Sequence, residues 1–247
     1  MHEKLLVAAN WKMHPAPEGF DAGNSPYRPR GDVDVVVFPT FLDLYACIEA
    51  DLATGGQCGR PEPTGAFTGD ISVQMVKDAG CTFILCGHSD RRRFHGETDE
   101  FVAAQASAAL EIGLIPIVCV GETAEERAAG KTEEVIRRQM HTLNIQHSTF
   151  NIPPVLAYEP VWAISRGDPN KPAATTRDAE EMHALIRSLL PGELRDQIRI
   201  IYGGSMKAAN AEELLKQPNI DGGLVGNASL NPEEFRTIVE AAARAKK

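Results

Sequence analysis

Glu159 sits in the otherwise apolar run Tyr-Glu-Pro-Val-Trp, His88 lies between Gly87 and Ser89, and Lys12 follows Asn10 by two positions. A carboxylate in apolar surroundings loses part of its hydration and becomes a stronger base. A neutral imidazole whose N–H faces a carbonyl polarises it and relays protons between neighbouring oxygens. A fixed ammonium steadies negative charge that develops beside it, by ~4 kcal/mol before desolvation at ~4 Å and an effective dielectric near 20. An asparagine such as Asn10 can donate to a substrate oxygen. Together these groups suit proton transfer next to a carbonyl. Taken singly, each has a plainer reading: Glu159 as a structural ion pair, His88 as a core histidine, Lys12 as a solvated side chain. No His or Cys stands at zinc-like spacing to His88, and His95 reads as a surface or loop histidine.

Two glycine-bearing segments add an anion grip. Gly203-Gly204-Ser205 and Gly226-Asn227 let the backbone approach closely and present N–H groups, with a helix start adding its dipole. A double glycine alone more often marks a tight turn.

What must position these groups is a set of short apolar runs. Strands are expected at 5–9, 33–38, 55–58, 82–86, 115–120, 155–158, 198–202 and 222–225, apolar on both faces as parallel strands buried on both sides should be. Helical patterns fall at 42–53, 100–111, 133–143 and 178–190, the last two after threonines suited to N-caps. A final helix opens with Asn231 as N-cap, Pro232 at N1 and Glu234 at N3. Eight strands in 247 residues leave about 31 residues per unit, close to the ~30 of a βα repeat. A single-domain (β/α)8 barrel over 1–247 is the expected fold. Prolines and glycines crowd residues 15–31, so the first helix should be eroded to loop. In such a barrel reactive groups gather at the carboxyl ends of strands. Asn10 and Lys12, His88, Glu122, Glu159, Gly203–Ser205 and Gly226–Asn227 follow six different expected strands.

The remaining composition narrows the class. Lys plus Arg total 25 against 34 Asp plus Glu, a net charge of −9, which disfavours nonspecific binding to nucleic acid or an anionic membrane. An anionic substrate would have to be drawn by a local site. Five cysteines form no CxxC pair, and no apolar run approaches the ~18 residues of a membrane span, so a soluble cytoplasmic protein with reduced thiols is expected.

The segments AANWKMH (8–14), CGHSDRRRFHGET (86–98), PIVCVGET (116–123), AYEPVWAI (157–164), YGGS (202–205) and LVGNASL (224–230) resemble the triosephosphate isomerase family, in order and across most of the chain. GAFTGD (65–70) is similar to that family's interface loop. The resemblance implies interconversion of dihydroxyacetone phosphate and D-glyceraldehyde 3-phosphate through an enediolate, a step of glycolysis and gluconeogenesis, without cofactor or metal. It implies Glu159 as base, His88 as electrophile, and Lys12 and Asn10 as charge and hydrogen-bond partners of the substrate. Ser165, Ser205, Gly226 and Asn227 would bind phosphate, and residues 160–174 would form a lid with Trp162 in its hinge. Asp90, Cys119 and Glu122 would support the site, Cys119 from the core and Glu122 through an ion pair with Arg127. A homodimer is implied, with Thr68 against the partner's site.

Four features depart from the family pattern. Asp90 stands where glutamate is usual, one methylene short of its usual reach toward Lys12. Asn227 replaces a second glycine, the lid AISRGDPNKPAA is longer than usual with Ser165 at a glycine position, and the first helix is eroded. The altered lid leaves a four-carbon ketose phosphate as the alternative substrate. A non-catalytic sugar-phosphate-binding barrel fits worse, because a mere binder has no use for a buried base.

Overall fold

A computed structural model describes residues 4–144, 152–164 and 173–245. Eight parallel strands run β1 Leu5–Asn10, β2 Val33–Phe38, β3 Gly55–Gly56, β4 Phe83–Cys86, β5 Ile115–Val120, β6 Val155–Tyr158, β7 Ile200–Tyr202 and β8 Gly222–Val225. They are hydrogen-bonded in the order β2-β1-β8-β7-β6-β5-β4-β3. A parallel bridge between Val37 and Thr54, with Val37 N donating to Ala53 O at 2.9 Å, joins β2 to the start of β3 and closes the barrel. The fold is the expected (β/α)8 barrel.

Alternation along the strands explains why both faces are apolar. Leu6, Ala8, Val36, Phe38, Leu85, Ile117, Cys119, Ala157, Ile201 and Leu224 fill the barrel interior. Their strand neighbours Val7, Ala9, Val35, Val37, Ile84 and Val118 face the helical layer. The interior is a packed core, so chemistry is confined to the strand ends and the loops beyond them.

The helices are α1 Leu44–Glu49, α2 Val73–Asp78, α3 Ser89–His95, α4 Asp99–Glu111, α5 Ala124–Ala128, α6 Thr132–Thr142, α7 Thr176–Leu189, α8 Ala208–Leu215 and α9 Pro232–Ala245. Thr175 caps α7 in a capping box with Asp178, and Asn231 Oδ1 accepts from Glu233 N and Glu234 N to open α9. Between β1 and β2 the described chain makes only turns, as the prolines require.

Several boundaries differ from the expected ones. The third strand keeps only two residues, because Gly55 lies against Phe38 and Gly56 against Val76, leaving little side-chain packing to extend it. The seventh begins at Ile200, and the first expected helix shrinks to α1, whose N-cap Asp43 makes no capping bond. Thr132 is the first residue of α6; its N-cap is Lys131, whose side chain makes no capping bond. His95 ends α3 and is exposed, the surface histidine that was expected.

Candidate active site

Glu159 follows β6 directly and its backbone is locked from both sides. Its N–H donates to Val120 O at 2.8 Å, and Gly203 N donates to Tyr158 O at 2.7 Å. Two close approaches require glycine here. A Cβ at Gly121 would collide with the Glu159 carbonyl, and one at Gly203 would lie 2.8 Å from Glu159 Cγ. The side chain is only 3% exposed. Oε2 accepts from Ser89 N at 2.7 Å and Oε1 lies 3.2 Å from His88 Nε2.

His88 is the N-cap of α3, and its Nδ1 accepts from Asp90 N at 3.1 Å. A ring nitrogen that accepts carries no proton, so the neutral ring holds its proton on Nε2. The Asp90 carboxylate is 3.6 Å from the same Nδ1, too long for a competing hydrogen bond. The N–H of His88 is therefore aimed at Glu159.

Lys12 approaches the other side of His88 from the end of β1, through Asp90. Its Nζ donates to Asp90 Oδ2 at 2.9 Å. Lys12 has φ +52°, an unfavourable region for a non-glycine residue. Asn10 Oδ1 holds that bend by accepting from Lys12 N at 3.0 Å, and Gln57 Nε2 donates to Lys12 O at 2.7 Å. The loop so held brings the lysine to the shorter Asp90, and the missing methylene leaves no gap. A Cβ at Gly226 would come 3.3 Å from Lys12 Cε, which places the β8 turn beside the ammonium.

A cavity of about 970 Å³ is lined by Asn10, Lys12, His88 and Asp90, with Asn227 and Leu230; Glu159 is not among its lining residues. Asn227 is exposed and begins the 3-10 turn Asn227–Leu230. Ser205 Oγ donates to Ala163 O at 3.0 Å, tying the β7 loop to the end of the 3-10 turn Val161–Ala163. Ser165 and the rest of the expected lid through residue 172 lie outside the described residues.

Of the expected supporting residues, Asp90 lines this cavity, while Cys119 and Glu122 do not. Cys119 is buried in β5, and burial drives its thiol pKa well up, aided by the adjacent Glu159. That is a core thiol, not a nucleophile. Glu122 is fully buried and accepts from Trp162 Nε1 at 2.8 Å and from Tyr158 Oη at 3.1 Å. Desolvation raises its carboxyl pKa, against the hydrogen bonds that lower it. Arg127 approaches Glu122 at 3.4 Å but pairs more closely with Asp178, at 2.7 Å, and lies over the Trp162 ring at 4.0 Å. Thr68 is exposed on a projecting loop and does not line the cavity of its own chain.

Two participants carry no expectation from the sequence. Gln57 follows the two-residue β3, so the strand-end rule could have found it had that strand been clear. Ser89 acts through its backbone N–H, which no residue type announces.

A family model described as triosephosphate isomerase matches residues 5–242. Among similar curated proteins, one named triosephosphate isomerase from Paracidovorax citrulli is 43% identical, over 98% of this chain and 100% of its own length. Another from Hydrogenovibrio crunogenus is 43% identical over 97% and 98%, and one from Rhodopirellula baltica 44% over 98% and 99%.

Proposed function

Because the chain belongs to the triosephosphate isomerase family, it is an aldose–ketose isomerase of triose phosphates, and we propose that Glu159 is its base. In this reading dihydroxyacetone phosphate and D-glyceraldehyde 3-phosphate interconvert through an enediolate. The observation that supports it best is the contact path Lys12–Asp90–His88–Glu159, which links a cation, a ring donor and a buried carboxylate beside a cavity that Lys12, Asp90 and His88 line.

Without substrate, Glu159 is held by Ser89 N and His88 Nε2. Substrate entering between the two side chains frees one carboxylate oxygen to take a proton from carbon, while His88 Nε2–H turns to the substrate oxygen. As the carbon loses its proton, negative charge moves onto that oxygen, where the His88 donor and the Lys12 ammonium stabilise it. The proton on Glu159 then returns to the adjacent carbon, and His88 passes a proton between the two oxygens. Asn10 holds Lys12 and faces the same cavity. The N–H groups of Ser205, Gly226 and Asn227, together with Ser165 from the lid, grip the phosphate. Asp90 positions both Lys12 and His88, and Glu122 anchors the lid hinge through Trp162.

We further propose a cytoplasmic homodimer. The loop at 61–70 is exposed from residue 63 onward, and Arg60 braces it through Glu62 at 3.1 Å, Asp70 at 3.3 Å and the Phe67 ring at 3.8 Å. Met13 and Phe94, 92% and 66% exposed, line the mouth of the cavity and give such a loop an apolar seat. Thr68 would then stand at the partner's cavity.

A coupled assay on the purified chain compares glyceraldehyde 3-phosphate with a four-carbon ketose phosphate. Higher kcat/KM for the triose supports the reading; preference for the four-carbon substrate would replace it with the alternative suggested by the longer lid.

A further inference from the structure

The segment that replaces the first helix buries one large side chain completely, that of Tyr27. Its hydroxyl donates to Ser229 O at 2.6 Å. Its ring stacks on Phe235 of α9, with centroids 5.0 Å apart, and meets the edge of Trp11 at 5.1 Å. Burial pushes the phenol pKa well up, so the hydroxyl stays a donor.

Each contact leads to the site. Trp11 is also fully buried and directly precedes Lys12. Ser229 closes the turn after β8, since its N and Oγ both donate to Gly226 O, at 2.8 and 2.7 Å. Tyr27 thus bonds the last buried carbonyl of the Gly226–Ser229 turn while its ring packs on the residue before Lys12. A turn that binds an anion through backbone N–H groups works only if its peptide planes are held in place, and a bond at one end of so short a turn sets them all.

We propose that Tyr27 is a positioning residue for the phosphate grip, fixing the Gly226–Asn227 peptides relative to Lys12. The inference rests on the reading of Gly226 and Asn227 as phosphate ligands.

The test compares wild type with Tyr27→Phe, which keeps the ring and removes the hydroxyl. Losing one hydrogen bond of ordinary strength should raise KM for glyceraldehyde 3-phosphate and the dissociation constant of inorganic phosphate together, by about three- to ten-fold. For unphosphorylated glyceraldehyde, which never uses the grip, kcat/KM should change by less than about twofold. Phosphate affinity is read by thermal-shift titration, which requires no turnover. If Tyr27 served only general stability, kcat/KM would fall in the same proportion for both substrates; that result, or an unchanged phosphate constant, overturns the proposal. Phe235→Leu, which keeps the hydroxyl but removes the ring beneath it, should give the same split if Tyr27→Phe yields too little folded protein; an equal loss with both substrates in that variant also overturns it. A chain that binds phosphate in a Tyr27-dependent way yet isomerises nothing would contradict the isomerase reading and support this one.

Discussion

Asp90 carries two tasks at once, pairing with Lys12 through its carboxylate and donating its backbone N–H to His88. Only the first depends on the side chain. Asp90→Asn keeps a polar group of the same size but removes the charge that holds the ammonium, so kcat/KM should fall by about three- to ten-fold. Asp90→Glu should stay within about threefold of wild type, because the pair can reform with a longer arm. Steady-state kinetics on the two variants checks this, and an Asp90→Asn enzyme as active as wild type would mean that the charge does not matter. Asn10, Lys12, His88 and Glu159 were legible in the sequence because each follows an apolar run, and strand ends are where a parallel barrel exposes polar groups. The reach of Asp90 was not. It depends on a positive φ at Lys12 that Asn10 and Gln57 stabilise, and a backbone bend leaves no mark in residue types.

Behind β6 and β7, α7 contributes His183, fully buried between Tyr158 and Tyr202 and near Arg187. Its Nδ1 lies 3.3 Å from Asn219 O, and the backbone of Ile200 also bears on the ring. Burial lowers its pKa from 6.5 to about 3, with the Arg187 charge acting in the same direction. The unfolded chain therefore binds a proton there that the folded chain refuses. Stability from this residue is complete above pH 6.5 and is lost progressively as pH falls toward 3. Between pH 7 and pH 5 the loss should be about 2 kcal/mol, before most carboxylates titrate. Urea unfolding of wild type and His183→Gln at the two pH values tests it: the variant should lose correspondingly less stability on acidification, and identical losses would contradict the assignment. At this scale the sequence marked the long strands and the caps at Thr175 and Asn231. It misplaced elements held by tertiary contact instead of pattern. β3 survives as two glycines with no side chains to show a period, and α6 starts without a side-chain cap because Lys131 precedes Thr132.

For the whole molecule, the surface charge of −9 repels a phosphorylated substrate at long range, so capture depends on the local field around Lys12. The same surface leaves Met13, Leu42, Tyr45 and Phe94 strongly exposed, an apolar set that a partner copy would cover. The purified chain should therefore be dimeric by light scattering at micromolar concentration. Phe67→Asp, which puts a charge on the exposed 61–70 loop, should shift it toward monomer and lower activity with it. A fully active monomer would contradict the dimer and the placement of Thr68 together. The barrel itself was legible from strand spacing. The proposed pairing between chains has no sign in the sequence beyond the likeness of residues 65–70 to an interface loop, since composition marks that segment as an ordinary turn-rich surface loop.

The account as a whole stands on Glu159 as the base. The most direct measurement is kcat of purified Glu159→Gln with glyceraldehyde 3-phosphate, alongside its affinity for inorganic phosphate. A positioned general base contributes about 10²–10⁴ in rate, so kcat should fall by at least about a hundredfold while phosphate binding stays close to wild type. An unchanged kcat in the folded variant would remove Glu159 from the reaction and contradict the account.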